Sequence, residues 1–120
     1  MMNAIIENIF RDFTVDGEKI PVKYMRYKEN KNTYVTYMQQ DAQNSYAGDD
    51  ELLGFVGFYD FDVYSKSDYS NVIEQIKQKM KENGFVWQPS RDSQDMYEDD
   101  TGFYHKTLCF ATHEQIIEEV

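Results

Sequence analysis

A chain of 120 residues fits one domain, residues 1–120, and with 41% hydrophobic and 16% aromatic residues it can bury one real core, which excludes disorder throughout. Its formal charge of −10 argues against a surface that grips DNA, RNA or anionic lipid, because phosphate binding needs basic side chains. A single cysteine, Cys109, excludes an internal disulfide framework, and no apolar run approaches the ~18 residues that span a membrane. The amino terminus lacks a basic start and carries Glu7 where a signal peptide is apolar, so the product is expected to stay in the cell or in whatever the cell assembles. Lysine and arginine are frequent up to Lys31 and then absent until Lys66, while Asp41, Asp49, Asp50, Glu51, Asp60 and Asp62 fall in that gap. Solubility accounts for such acidity, and so does a surface that repels nucleic acid or docks on something basic.

In chain order, residues 3–13 read as a short helix with Ile5, Ile6, Ile9, Phe10 and Phe13 on one face. Asp16-Gly17 marks a tight turn. From residue 20 to Lys28 the period changes to two, with Ile20, Val22 and Tyr24 alternating with Lys23 and Met25. A second strand over residues 33–39 follows the turn Asn30-Lys31-Asn32, and the two strands are expected to form an antiparallel hairpin. Residues 41–51 read as a long polar loop. Residues 55–64 form a third, strongly aromatic strand with Phe55, Tyr59, Phe61 and Val63 on one face. Asp60 and Asp62 then lie on the other, where solvent-facing polar positions are commoner than a metal-binding carboxylate pair.

The clearest helix follows. Ser67 or Asp68 supplies its N-cap, and Tyr69, Val72, Ile73, Ile76 and Met80 form its apolar stripe. Lysines gather toward its carboxyl end, and Asn83-Gly84 closes it. A fourth strand covers residues 85–88 and stops at Pro89; residues 90–102 read as a second polar loop; a fifth strand covers residues 103–111. Thr112 with Gln115 resembles a capping box, so a short carboxyl-terminal helix through Ile116 and Ile117 is expected. The order α-β-β-β-α-β-β predicts an α+β fold: a mostly antiparallel five-stranded sheet with helices packed on one face.

No enzymatic constellation emerges. His105, Cys109 and His113 share a four-residue spacing, but on a strand neighbouring members stand roughly 13 Å apart, too far for one zinc ion with bonds of about 2.0–2.3 Å. The same spacing opposes a Cys-His nucleophile pair, and there is no phosphate-cradling glycine loop, nucleophile elbow or HExxH. The expectation is a non-enzymatic protein without metal or cofactor.

Several stretches carry a resemblance: Pro21-Val22-Lys23-Tyr24, Tyr34-Val35-Thr36-Tyr37, Asp62-Val63-Tyr64-Ser65-Lys66, Lys81-Glu82-Asn83-Gly84-Phe85, and above all Asp95-Met96-Tyr97-Glu98-Asp99-Asp100-Thr101-Gly102-Phe103-Tyr104-His105-Lys106. In their order and spacing, over residues 20–112, the chain resembles the tail completion proteins, or tail terminators, of long-tailed bacteriophages and prophages of Gram-positive bacteria. The resemblance implies an α+β virion component that forms a ring, commonly hexameric, on the head-proximal end of the tail. One ring face would meet the tail tube protein and the other the head connector. The protein would occupy the bacterial host cytoplasm during assembly and the head-facing tail end of the virion afterwards, with DNA passing through the ring and no membrane involved. Six copies would carry roughly −60 around that channel, and like charge disfavours sticking of DNA.

The two polar loops then become candidate protein interfaces, through Tyr46, Asp49, Asp50 and Glu51 in the first and Tyr97, Glu98, Asp99 and Asp100 in the second, because aromatic residues are enriched where proteins meet. Ordinary connecting loops remain the alternative at both places. An alternative function is a small acidic DNA mimic or inhibitor that binds a nucleic-acid-binding partner. A mimic would place carboxylates in two rows on an exposed face, whereas a ring protein would gather them on loops.

Overall fold

The computed structural model describes residues 2–44, 47–48, 51–52 and 54–115. It opens with α1 (Met2–Ile9), from which Ile6, with Phe10 and Phe13 in the turn beyond, reaches the core; Ile5, on the flank of that stripe, is half exposed. Thr14–Val15 (β1) and Glu18–Lys19 (β2) then form a small hairpin. Its two central residues, Asp16 and Gly17, both take positive φ (53° and 80°), as the primed turn that suits the twist of a hairpin requires.

The main sheet is built from β3 (Val22–Tyr24), β4 (Thr33–Asn44), β7 (Gly54–Ser65), β8 (Val86–Trp87), β9 (Met96–Glu98) and β10 (Phe103–Gln115). Between β4 and β7 lies a second small hairpin, β5 (Ala47–Gly48) with β6 (Glu51–Leu52). The strand order is β3-β4-β7-β10-β8, with β9 pairing the far end of β10. The fold is α+β, and the expected mostly antiparallel sheet has six strands instead of five.

One pairing differs in kind from the expectation. β3 runs parallel to β4, with Val22 beside Val35 and Tyr24 beside Tyr37. A hairpin closed over residues 30–32 would have set Tyr27 beside Val35, turned Lys23 toward the helices and carried Val22 to the other face, because a change of register by one exchanges the faces. Instead the chain leaves the sheet at Met25, whose φ of 66° accompanies a three-residue turn from the Arg26 N–H to the Tyr24 carbonyl. Residues 25–32 then return to the start of β4.

The helix α2 (Ser70–Glu82) begins beside Asp68, whose carboxylate accepts from the Ser70 N–H at 2.9 Å and from its hydroxyl at 2.7 Å. It ends at Gly84 with φ 85°, where the Phe85 N–H reaches the Met80 carbonyl and the Gly84 N–H reaches that of Lys81. Those two bonds satisfy the last turn, and Phe85 and Met80 are both buried beneath it. Val72, Ile73, Ile76 and Met80 join Ile6 and Phe10 over Val35, Tyr37, Tyr59, Phe61, Val63, Leu108 and Phe110, so both helices cover the same face of the sheet.

Three further expectations are corrected. Residues 41–44 continue β4 beyond a bulge between Gln39 and Asp41, so the first polar loop is shorter than residues 41–51. Residues 90–102 contain a 3-10 turn (Pro89–Arg91) and β9. Thr112 to Gln115 extend β10 against Gly57 to Gly54, because a waiting partner strand offers a ladder that an isolated helical turn cannot match. Ile116 and Ile117 lie outside the described residues.

Candidate interaction surface

The outer edge of β10 organises the surface around the second predicted loop. β8 pairs with it at Ala111 and Phe110, and β9 at His105 to Phe103. Between them residues 88–95 follow the same edge. The Gln88 N–H donates to the Cys109 carbonyl (2.8 Å), the Cys109 N–H to Asp92 Oδ1 (2.9 Å), the Ser93 N–H to the Thr107 carbonyl (3.0 Å) and the Thr107 N–H to Ser93 Oγ (2.8 Å). An edge that would otherwise invite another strand is thereby closed.

The β9–β10 hairpin projects from the end of this edge. Gly102, at φ 77°, lets its N–H reach the Glu98 carbonyl at 2.8 Å, and Thr101 Oγ1 donates to Glu98 Oε1 at 3.0 Å. Glu98 is therefore a half-buried brace of the turn, whereas Asp99 and Asp100 are exposed at its tip. Tyr97 stands opposite Tyr104 with ring centroids 4.9 Å apart, and the two are 54% and 45% exposed, a large apolar area left uncovered. Met96 beside them is also exposed. On the helix side Tyr69 donates its phenol hydroxyl to Asp95, tying the base of the hairpin to the start of α2; burial first, then that carboxylate, push the phenol well above its ordinary range.

Of the predicted interface residues, Tyr97, Glu98, Asp99 and Asp100 thus share one hairpin. Glu51 opens β6, opposite Gly48, and Tyr46, Asp49 and Asp50 lie outside the described residues. Tyr104 and Met96 belong to the stretch that carries the resemblance but were not among the predicted interface residues. For Tyr104 the signal was present in two tyrosines on either side of the Gly102 turn.

The sheet face away from the helices carries the groups that acid–base chemistry would need. Asp62 Oδ1 accepts from Thr107 Oγ1 at 2.5 Å and lies 3.0 Å from His105 Nε2. His105 stacks on Tyr64 at 4.2 Å, Tyr64 on Tyr34 at 4.8 Å, and Tyr34 on Tyr27 at 4.7 Å, a ladder running across three strands and onto the return connection. Burial, and next the Asp62 carboxylate, push the Tyr64 phenol up to about 12. Asp60 stands beside Cys109, and burial raises its carboxyl above the usual range. Burial, and next the charge of Asp60, push the Cys109 thiol up to about 11, which opposes a thiolate nucleophile near neutral pH. Asp60 and Asp62 are therefore half-buried and bonded laterally, not the freely solvated positions that alternation suggested. Among the described residues no cluster of three or more His, Cys, Asp or Glu side chains could hold a metal ion, and no helix is long and apolar enough to cross a membrane.

No protein-family model matches the chain, and no curated protein matches it.

Proposed function

We propose that this protein is a non-enzymatic phage assembly protein that caps the tail tube as a ring and joins it to the head. The observation that carries the reading is the β9–β10 hairpin, where an exposed aromatic pair, Tyr97 and Tyr104, is flanked by the exposed carboxylates of Asp99 and Asp100. A braced hairpin that leaves two tyrosines uncovered suits contact with another protein, where tyrosine anchors are favoured and a polar rim surrounds them. Charge layout also favours this reading over a DNA mimic: Asp92, Asp95, Asp99 and Asp100 lie in the loop and hairpin after β8, while Asp60 and Asp62 are engaged within the open face.

Replacing Tyr97, or Asp99 together with Asp100, by alanine is expected to shift folding stability by less than ~0.5 kcal/mol, since these side chains are exposed. The same changes are expected to block capping, so that electron microscopy of lysates from the mutant phage shows unjoined heads and tails or tubes of uncontrolled length. Folded variants that still give normal joined virions would remove the hairpin from the assembly surface.

A further inference from the structure

The molecule is acidic overall, yet its basic residues are not scattered. A cleft of about 310 Å³ opens between the end of α1, the β2–β3 segment and the return connection that follows Met25. Arg11, Lys19, Lys23 and Lys31 border it, against the two carboxylates Glu7 and Glu29. Lys19 makes only an exposed 3.7 Å pair with Asp12, and Glu29 accepts a long 3.5 Å bond from Tyr27. Lys23 and Lys31 form no ion pair with a described residue. Between the charges Pro21 is partly exposed, and the buried Ile20 and Val22, 3% and 8% exposed, form an apolar floor beneath it. The cleft is therefore suited to an aromatic or aliphatic side chain that arrives together with carboxylates.

The same chain displays such a ligand. The β9–β10 hairpin carries the exposed ring of Tyr97 two and three residues from the exposed carboxylates of Asp99 and Asp100. Cleft and hairpin lie at opposite edges of the sheet, because β3 is the strand at one edge and β9 pairs the outer side of β10 at the other, with β4 and β7 between. At the usual strand spacing that is roughly 19 Å from β3 to β9 across the sheet. A contact between the cleft of one molecule and the hairpin of another would run head to tail, the type that closes into rings when its rotation permits.

We infer that the cationic cleft receives the acidic β9–β10 hairpin of a second copy of this chain, with Tyr97 over the apolar lining and Asp99 and Asp100 against Lys23 and Lys31. The inference rests on the tail-ring reading for its purpose but not for the pairwise contact, which depends on charge and shape alone. A contact of this kind is screened by salt.

The test is sedimentation velocity of the full chain at concentrations up to about 1 mM, in about 20 mM and about 500 mM salt. The native protein is expected to associate at low salt and to return to monomer at high salt. Lys23→Glu with Lys31→Glu, and separately Asp99→Lys with Asp100→Lys, should each weaken association by at least about tenfold while keeping the native circular dichroism spectrum. An equimolar mixture of the two folded variants should associate again, since each then offers the charge the other lacks. A native protein that stays monomeric at low salt, reversed variants that associate like the native chain, or a mixture that fails to recover would each overturn the contact. Binding of a single-stranded oligonucleotide in the cleft, lost on Lys23→Glu with Lys31→Glu, would also overturn it in favour of a phosphate site. Charge-dependent association together with normal virions from the hairpin alanine variants leaves the contact standing and removes the hairpin from the tail-assembly surface. Blocked capping with a monomeric native protein does the reverse.

Discussion

The two faces of the central sheet are stabilised by different means. Under the helices, Tyr59, Phe61 and Val63 on β7 meet Val72, Ile76 and Met80 on α2 and Ile6 on α1, and the contact is apolar packing between layers. On the other face the side chains are held within the sheet: Thr36, Asp62 and Thr107 form one row across β4, β7 and β10, and Tyr34, Tyr64 and His105 the next. Thr36 is only 7% exposed and Cys109 is fully buried on that face, although neither helix covers it. Arg91 lies over Phe58, with its guanidinium carbon 3.9 Å from the ring centroid. A face without a helical layer is thus closed by lateral hydrogen bonds, ring stacking and one edge loop, the sheet's own cross-strand pairs. Strand alternation identifies which residues leave the core; it does not imply that they are solvated.

Truncation on each face separates the two kinds of support. Ile76→Ala removes a fully buried side chain from the contact between α2 and the sheet, and a loss of about 2–5 kcal/mol in unfolding free energy is expected from denaturant titration. A loss below this range would mean that α2 collapses onto the space and that the helical layer is less tightly packed than the contacts suggest. On the open face Asp62→Ala leaves His105 and Thr107 without their shared acceptor, and about 1–3 kcal/mol is expected in the same titration. A negligible change would reduce this row to solvated surface and dissolve the comparison.

The smallest effect is visible only at alkaline pH. Cys109 ionises ordinarily at 9.0 but at about 11 in the fold, and Tyr64 at about 12 instead of 10.0, in both cases mainly through burial. A folded-state pKa above the unfolded one means stability that is whole below the unfolded value and is lost as pH rises through the folded one. Thermal stability is therefore expected to hold up to about pH 9 and to fall progressively through pH 11–12, with a shallower fall in Tyr64→Phe. The native thiol should resist a disulfide reagent at pH 8 and react fully on unfolding, whereas rapid reaction of the folded protein would show the open face to be accessible at Cys109.

Much of the helix-covered face was legible in the sequence. The period of two over Tyr59, Phe61 and Val63 and the helical stripe Val72, Ile73, Ile76 and Met80 identify the two surfaces that meet. The candidate surface was legible in part: Tyr97, Asp99 and Asp100 stood out as an aromatic among acids, but the braced role of Glu98 and the exposed partner Tyr104 depend on how β9 pairs with β10. The cationic cleft was visible only as a bias of lysine and arginine toward the first third of the chain, since nothing local says that Arg11 and Lys31 will face one space.

By itself the sequence determined the features that arise between near neighbours. The Asp16-Gly17 turn follows from residues that tolerate positive φ, the end of α2 from Gly84 for the same reason, and the buried faces from apolar spacing. Only the tertiary structure decided that β3 runs parallel to β4, that residues 88–95 close the edge of β10, and that residues 112–115 extend a strand instead of turning into a helix. Each of those outcomes depends on hydrogen bonds to a segment distant along the chain. A backbone group has no preference for that distant partner until packing of the core brings it within reach.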